Sequence, residues 1–171
     1  MCKWLIGVLS LLLSACGGYP QNVSPIQQFD LNRYLGKWYE VARLDHSFER
    51  GLEQVSAEYT SLDNGQVKVV NRGFSTKDNE WKEAVGKAFL AGGTNEGYLN
   101  VSFFGPFYSS YVVFGIDEEN YQYAYVSGPN HSYLWLLSRT PKVEKEVVNH
   151  FVETAKEKGF NTEELIYVKQ K

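Results

Sequence analysis

From Gly36 onward, apolar and polar residues alternate in short runs, the two-residue period of strands whose successive side chains point to opposite faces. Eight such runs predict strands at 36–45, 53–61, 66–74, 80–91, 97–104, 110–116, 121–127 and 132–139. Turn-forming stretches separate them, among them Asp63-Asn64-Gly65, Lys77-Asp78-Asn79, Gly92-Gly93-Thr94-Asn95 and Gly128-Pro129-Asn130. Closely spaced strands with hairpin-length links predict an all-β, up-and-down antiparallel barrel of eight strands. A two-sheet sandwich is the alternative; closure is favoured because it leaves no sheet edge unpaired.

The period then changes. Across 142–158, Val143, Val147, Val148, Phe151, Val152 and Ala155 fall on one stripe of a helix. Pro141 suits its first turn and Gly159 its stop. One apolar stripe predicts a helix packed on the outside of the barrel. Residues 165–168 then read as a short extra strand.

The N-terminus is patterned differently again. Lys3 precedes an apolar run over 4–13 that is too short to span a bilayer as a helix, and small residues close it. This predicts an export signal over 1–15. Leu13-Ser14-Ala15-Cys16 resembles the lipobox of bacterial lipoproteins, which implies cleavage before Cys16 and acylation of its thiol. Gly17 in place of an aspartate resembles the proteobacterial signal for the outer membrane. Residues 16–28, rich in Gly, Pro, Ser, Gln and Asn, are expected to be the lipidated cysteine and a flexible tether, with the folded domain at 29–171.

Composition narrows the partners. A net charge of -3 and no polybasic run argue against nucleic acid. Cys2 leaves with the signal and Cys16 is taken by the lipid, so the mature domain has no cysteine pair to form a disulfide. Aromatic residues make up 15% of the chain, a composition suited to surfaces that are apolar at one end and wet at the other.

Gly36-Lys37-Trp38-Tyr39-Glu40 at the first strand, and Arg139 about a hundred residues later between the eighth strand and the helix, resemble the lipocalin signature. Phe48-Glu49-Arg50-Gly51-Leu52, Phe103-Phe104-Gly105-Pro106-Phe107-Tyr108 and Ser127-Gly128-Pro129 are similar to the bacterial outer-membrane lipocalins and the related apolipoprotein D group. The resemblance spans the mature chain. One motif departs from the family: Thr-Asp-Tyr is here Ile116-Asp117-Glu118. The resemblance implies structural roles for Gly36, Trp38 and Arg139, with the arginine packed over the tryptophan at the closed end. It also implies an apolar ligand, a fatty acid or lysophospholipid, held in a barrel anchored at the outer membrane and facing the periplasm.

With Trp38 and Arg139 inward, strand parity places Glu40, Ala42, Val55, Ala57, Tyr59, Val69, Asn71, Tyr111, Val113, Ala124, Val126, Tyr133 and Trp135 inward as well. Ala84, Gly86 and Ala88 share one side of the fourth strand, where small side chains leave room. In the fifth strand, Val101 and Phe103 join this set. The lining is mostly apolar with a few polar groups, as in a preformed small-molecule site. An ionised Glu40 would be costly there unless paired or protonated.

The links between strands five and six and between seven and eight are expected at the open mouth, with His46, Phe48 and Arg50 joining the rim. The aromatic 104–108 link has three readings: membrane contact, a folded-back lid, or pairing with a second copy as a homodimer. No nucleophile–base pair of recognisable spacing is present, so no enzyme, cofactor or metal site is expected. A haem carrier using His46 or His131, and an envelope scaffold with a filled barrel, are the alternatives to a lipid carrier.

Overall fold

The computed structural model describes residues 18–171; the expected signal and Cys16 lie outside the described residues. Eight antiparallel strands, β1 (Gly36–Arg43), β2 (Leu52–Ser61), β3 (Val67–Ser75), β4 (Glu80–Leu90), β5 (Tyr98–Phe104), β6 (Phe107–Ile116), β7 (Tyr123–Ser127) and β8 (Leu134–Ser138), pair in sequence order. β1 pairs with both β2 and β8, and this closes the ring. The barrel, rather than the sandwich, is the fold.

Strand β6 begins three residues earlier than the pattern predicts. Phe104 pairs directly with Phe107, so the aromatic link is a two-residue hairpin standing up from the wall. β4 pairs with β5 only from Lys87↔Ser102 to Leu90↔Leu99, so residues 80–86 have a partner on the β3 side alone. The wall is parted beside the hairpin.

Helix α1 (Leu31–Tyr34) was not anticipated by the alternation pattern. Asp30 caps it, accepting from the backbone N–H of Asn32 at 2.9 Å and of Arg33 at 3.4 Å. Its job is visible in its burial: Phe29 and Tyr34 plug the closed end beneath Trp38.

Helix α2 (Lys145–Glu157) starts later than Pro141. Thr140 explains the delay, because its N–H donates to Ser138 Oγ and its hydroxyl to the Lys142 carbonyl, holding a turn there. Gly159, at φ 90°, ends it as expected. Phe151 and Ala155 press onto Ala42, Leu134 and Leu136, outside the barrel. A 3-10 turn (Thr162–Glu164) leads to β9 (Ile166–Tyr167), which pairs with β1 at Arg43 and Ala42. Beyond it, the Gln170 amide donates to the carbonyls of Glu40 and Val55 at 2.7 and 2.9 Å, bridging β1 and β2 where their own pairing has ended.

The segment expected to be a flexible tether is instead docked from Gly18 on. The Ile26 N–H donates to the Val113 carbonyl, Gly97 donates back to Ile26, and Phe29 donates to Asn95. Val23 is buried in the outer apolar cluster, and Tyr19 meets Tyr98 edge-on at 5.1 Å. Polar composition suggested a loose chain, but three well-spaced apolar side chains and a set of backbone bonds hold it to the wall.

Candidate functional site

The closed end follows the signature. Arg139 lays its guanidinium 3.8 Å from the centre of the Trp38 indole and donates to the carbonyls of Lys37, Arg33 and Tyr121. The Trp38 Nε1–H donates to the Tyr34 carbonyl at 2.8 Å. Gly36 has φ 93°, a left-handed conformation, and a Cβ there would stand 3.4 Å from the arginine Nη1. Above this floor, Tyr59 donates to the Tyr111 hydroxyl at 2.9 Å, and the Tyr34 and Tyr111 hydroxyls are 2.6 Å apart. Burial raises all three phenols above their ordinary range, so they serve as neutral partners for one another.

A cavity of about 740 Å³ opens above the tyrosines. Of the residues placed inward by parity, Glu40, Val55, Ala57, Tyr59, Val69, Asn71, Ala84, Val101, Phe103, Tyr111, Val126, Tyr133 and Trp135 line it. Ala88, Val113 and Ala124 also point into the barrel but lie in the packed cluster of its floor and do not line the cavity. Gly86 does not line it either. A Cβ there would come within 2.8 Å of Phe103, whose ring occupies the room that the glycine leaves.

Ala42 is a correction. Between Glu40 and Ala42, β1 advances two residues while β8 advances one, from Leu137 to Leu136. This β-bulge turns Ala42 outward into the cluster beneath α2 and turns Arg43 inward opposite Trp135. Parity carried across the bulge gives the wrong face for both.

Arg43 then answers how a carboxyl survives in the lumen wall. Its Nη1 donates to Glu40 Oε1 at 2.7 Å and its Nη2 to the Glu49 carbonyl at 2.9 Å. Glu49, from the β1–β2 loop, accepts from the Trp135 Nε1–H at 3.1 Å. Arg43 therefore ties the Glu40 carboxyl to the main chain of the loop that carries Glu49. Burial, and next the charge of Glu49, hold Glu40 well above the usual carboxylate range despite Arg43, and burial also raises Glu49. Burial thus disfavours the charged form of both carboxyls, and Arg43 offsets part of that cost. Glu40 is paired with Arg43, and its burial favours the protonated form.

His46 stacks on Phe48 at 4.1 Å and is buried. Burial first, then Arg43, lowers its pKa to about 4; its Nδ1 has no hydrogen-bond partner, and its Nε2 lies 3.2 Å from Glu49 Oε2. His131 is on the outside of the barrel, its Nε2 2.9 Å from the Lys158 carbonyl at the end of α2. The Asn71 Oδ1, in the cavity wall, is likewise buried without a partner. Among the described residues there is no cluster of potential metal ligands.

The rim is built from four links. Phe48 and Arg50, Phe104, Phe107 and Tyr108, and Gly128 with Pro129 stand where the sequence placed them, whereas His46, expected beside them, is buried behind Phe48 and does not line the cavity. Ser75 at the end of β3, Asp78 of the β3–β4 turn and Lys82 of β4 join them unforeseen; lower in the cavity, Leu137 adds to the lining, which simple parity with Trp135 would have found. Phe104 and Phe107 are 81% and 77% exposed, so the hairpin is not folded back as a lid.

Comparison with known proteins adds identity to this geometry. Residues 29–170 match the lipocalin-like domain. The chain is 62% identical over 161 residues to the outer membrane lipoprotein Blc of Vibrio cholerae, covering 94% of each. It is 44% identical over 163 residues to outer membrane lipoprotein Blc of Escherichia coli, covering 94% of this chain and 92% of that one. Insecticyanin from the tobacco hornworm Manduca sexta shares the fold at a TM-score of 0.72 and 24% identity, over 90% of this chain and 87% of that one. The closed barrel, its Trp38–Arg139 floor and these matches together make the chain a member of the lipocalin family, of the kind anchored at the outer membrane as a lipoprotein.

Proposed function

We propose that this lipocalin binds fatty acids or lysophospholipids in its lumen and carries, stores or scavenges them on the periplasmic side of the outer membrane, anchored through acylated Cys16. The observation that carries the reading is the cavity. Its volume of about 740 Å³ falls within the 300–1,000 Å³ typical of small-molecule sites, and its middle is walled by Ala57, Val69, Val101 and Val126. An acyl tail gains about 25 cal/mol for each Å² it removes from water there. The Arg43 guanidinium on Glu40, with the burial that raises both Glu40 and Glu49, limits the charge that would oppose an apolar tail. A polar head group is served higher up, where the exposed Arg50 and Lys82 stand at the rim.

Native mass spectrometry of the chain from Gly17 onward, mixed with envelope lipid extract, tests the reading. A stoichiometric adduct of acyl-lipid mass is expected, displaceable by a fluorescent fatty acid. Ala57→Trp, which fills the lumen beside Trp38, is expected to weaken that probe at least tenfold, or about 1.4 kcal/mol. An empty protein that takes up no probe ends the carrier reading.

A further inference from the structure

The parted wall, the aromatic hairpin and the exit point of the N-terminal chain all fall in one sector of the barrel. Phe104 and Phe107 project at the tip of the β5–β6 hairpin, exposed and without apolar neighbours to cover them. Next to the tip, residues 80–86 of β4 lack a β5 partner, and their outer face presents Trp81 and Val85 to solvent. The cavity reaches this gap, since Ala84 on one side and Phe103 on the other both line it.

The N-terminal segment climbs the same sector. It is tied to Asn95 at the closed end through Phe29, to Gly97 and Val113 through Ile26, and to Tyr98 through Tyr19. It leaves the described part at Gly18, where an added Cβ would stand 2.6 Å from Ser110 Oγ. Ser110 is three residues along β6 from Phe107, roughly 10 Å at strand rise. Two further residues lead to Cys16, a reach of at most about 7 Å. Anchoring at Cys16 would therefore hold the barrel on a short leash, one that leaves the wall at Gly18 just below the aromatic tip.

From this juxtaposition we infer that the protein docks on the membrane that anchors it with its mouth turned to the lipid, the Phe104–Phe107 tip seated among the acyl chains and the β4–β5 gap opening sideways onto the bilayer. Aromatic side chains are well suited to that depth, and a second apolar contact beside one lipid anchor holds far better than either alone. An acyl tail then passes between bilayer and lumen through the gap without crossing water. The inference rests on anchoring at Cys16 and not on which lipid fills the cavity, so the two readings fail separately.

Orientation is the measurement. The full-length lipoprotein, with a single cysteine introduced at Phe107 or, at the far end of the barrel, at Asn64, is labelled with a fluorophore and reconstituted into vesicles of phosphatidylethanolamine and phosphatidylglycerol carrying a spin-labelled lipid. Quenching at least threefold stronger at position 107 is expected. Equal quenching, or stronger quenching at position 64, overturns the inference. In the Cys16→Ser form, Phe104→Ser with Phe107→Ser is expected to lower vesicle partitioning at least tenfold with an unchanged melting curve. Unchanged partitioning overturns it. So does a protein dimer that the double substitution dissolves while vesicles remain unquenched, which assigns the tip to a second copy.

Discussion

The two ends of this barrel are built to opposite rules. At the closed end, every polar group that the signature residues bury has a partner: Trp38 donates to Tyr34, Arg139 satisfies three carbonyls, and three tyrosine hydroxyls satisfy one another. In the half nearer the mouth, Asn71 Oδ1 and His46 Nδ1 are buried without partners, two carboxyls are buried beside a single guanidinium, and phenylalanines stand in solvent. Unmet polar groups and exposed apolar ones both cost stability. Their segregation to one end teaches that the floor holds the fold while the upper wall keeps a surface that something else must complete.

The strongest way to break that contrast is at the floor. Trp38→Ala removes a fully buried indole and strips Arg139 of its platform, and is expected to cost about 3–5 kcal/mol in urea unfolding. A loss under 1 kcal/mol would mean the closed end is not the stabilising half.

A smaller effect is expected at His46, where the sign depends on pH. Its folded pKa of about 4 lies below its unfolded value of 6.5, so its contribution is fully present above pH 6.5 and is lost as pH falls towards 4. Glu40 runs the other way: raised when folded, it costs stability as pH climbs above 4.5. Comparing His46→Gln with the wild type cancels the Glu40 term. Between pH 7 and 4.5 the wild type is expected to lose on the order of 2 kcal/mol more than the variant in urea titrations. Parallel curves would show that the imidazole is solvated.

The smallest effect sharpens the picture at one atom. Asn71→Leu deletes the unpartnered oxygen while keeping the volume, and is expected to stabilise the empty protein by about 1 kcal/mol. It should also weaken discrimination among head groups in probe competition. Destabilisation instead would reveal that Asn71 is already satisfied.

Much of the floor was legible in the sequence because its determinants are local or paired. Gly36, Trp38 and Arg139 form a spaced signature, and alternation located all eight strands to within a few residues. Helix α1 escaped because one turn is too short to display a period, although Asp30 before Leu31 and Tyr34 carries the capping signal. The docked segment before it escaped because its apolar residues, Tyr19, Val23 and Ile26, are diluted among turn formers. At the site, parity found most of the cavity wall and failed at Ala42 and Arg43, since an extra residue in one strand leaves no compositional trace. Packing depth was equally invisible. Ala88, Val113 and Ala124 share the orientation of the lining residues but sit below them, and Gly86 is filled by a ring from the neighbouring strand.

The bulge at Val41 works as a phase shift in the strand's inside–outside code. Up to Glu40 the even-numbered positions read the lumen; from Ala42 on they read α2, and the odd position Arg43 supplies the lumen's only fully enclosed guanidinium among the described residues. Deleting one residue at that point would restore a regular ladder and exchange Arg43 for an outward cation under the helix. Glu40 and Glu49 would lose the cation between them, so a length change of one residue would rewrite the chemistry of the whole upper wall.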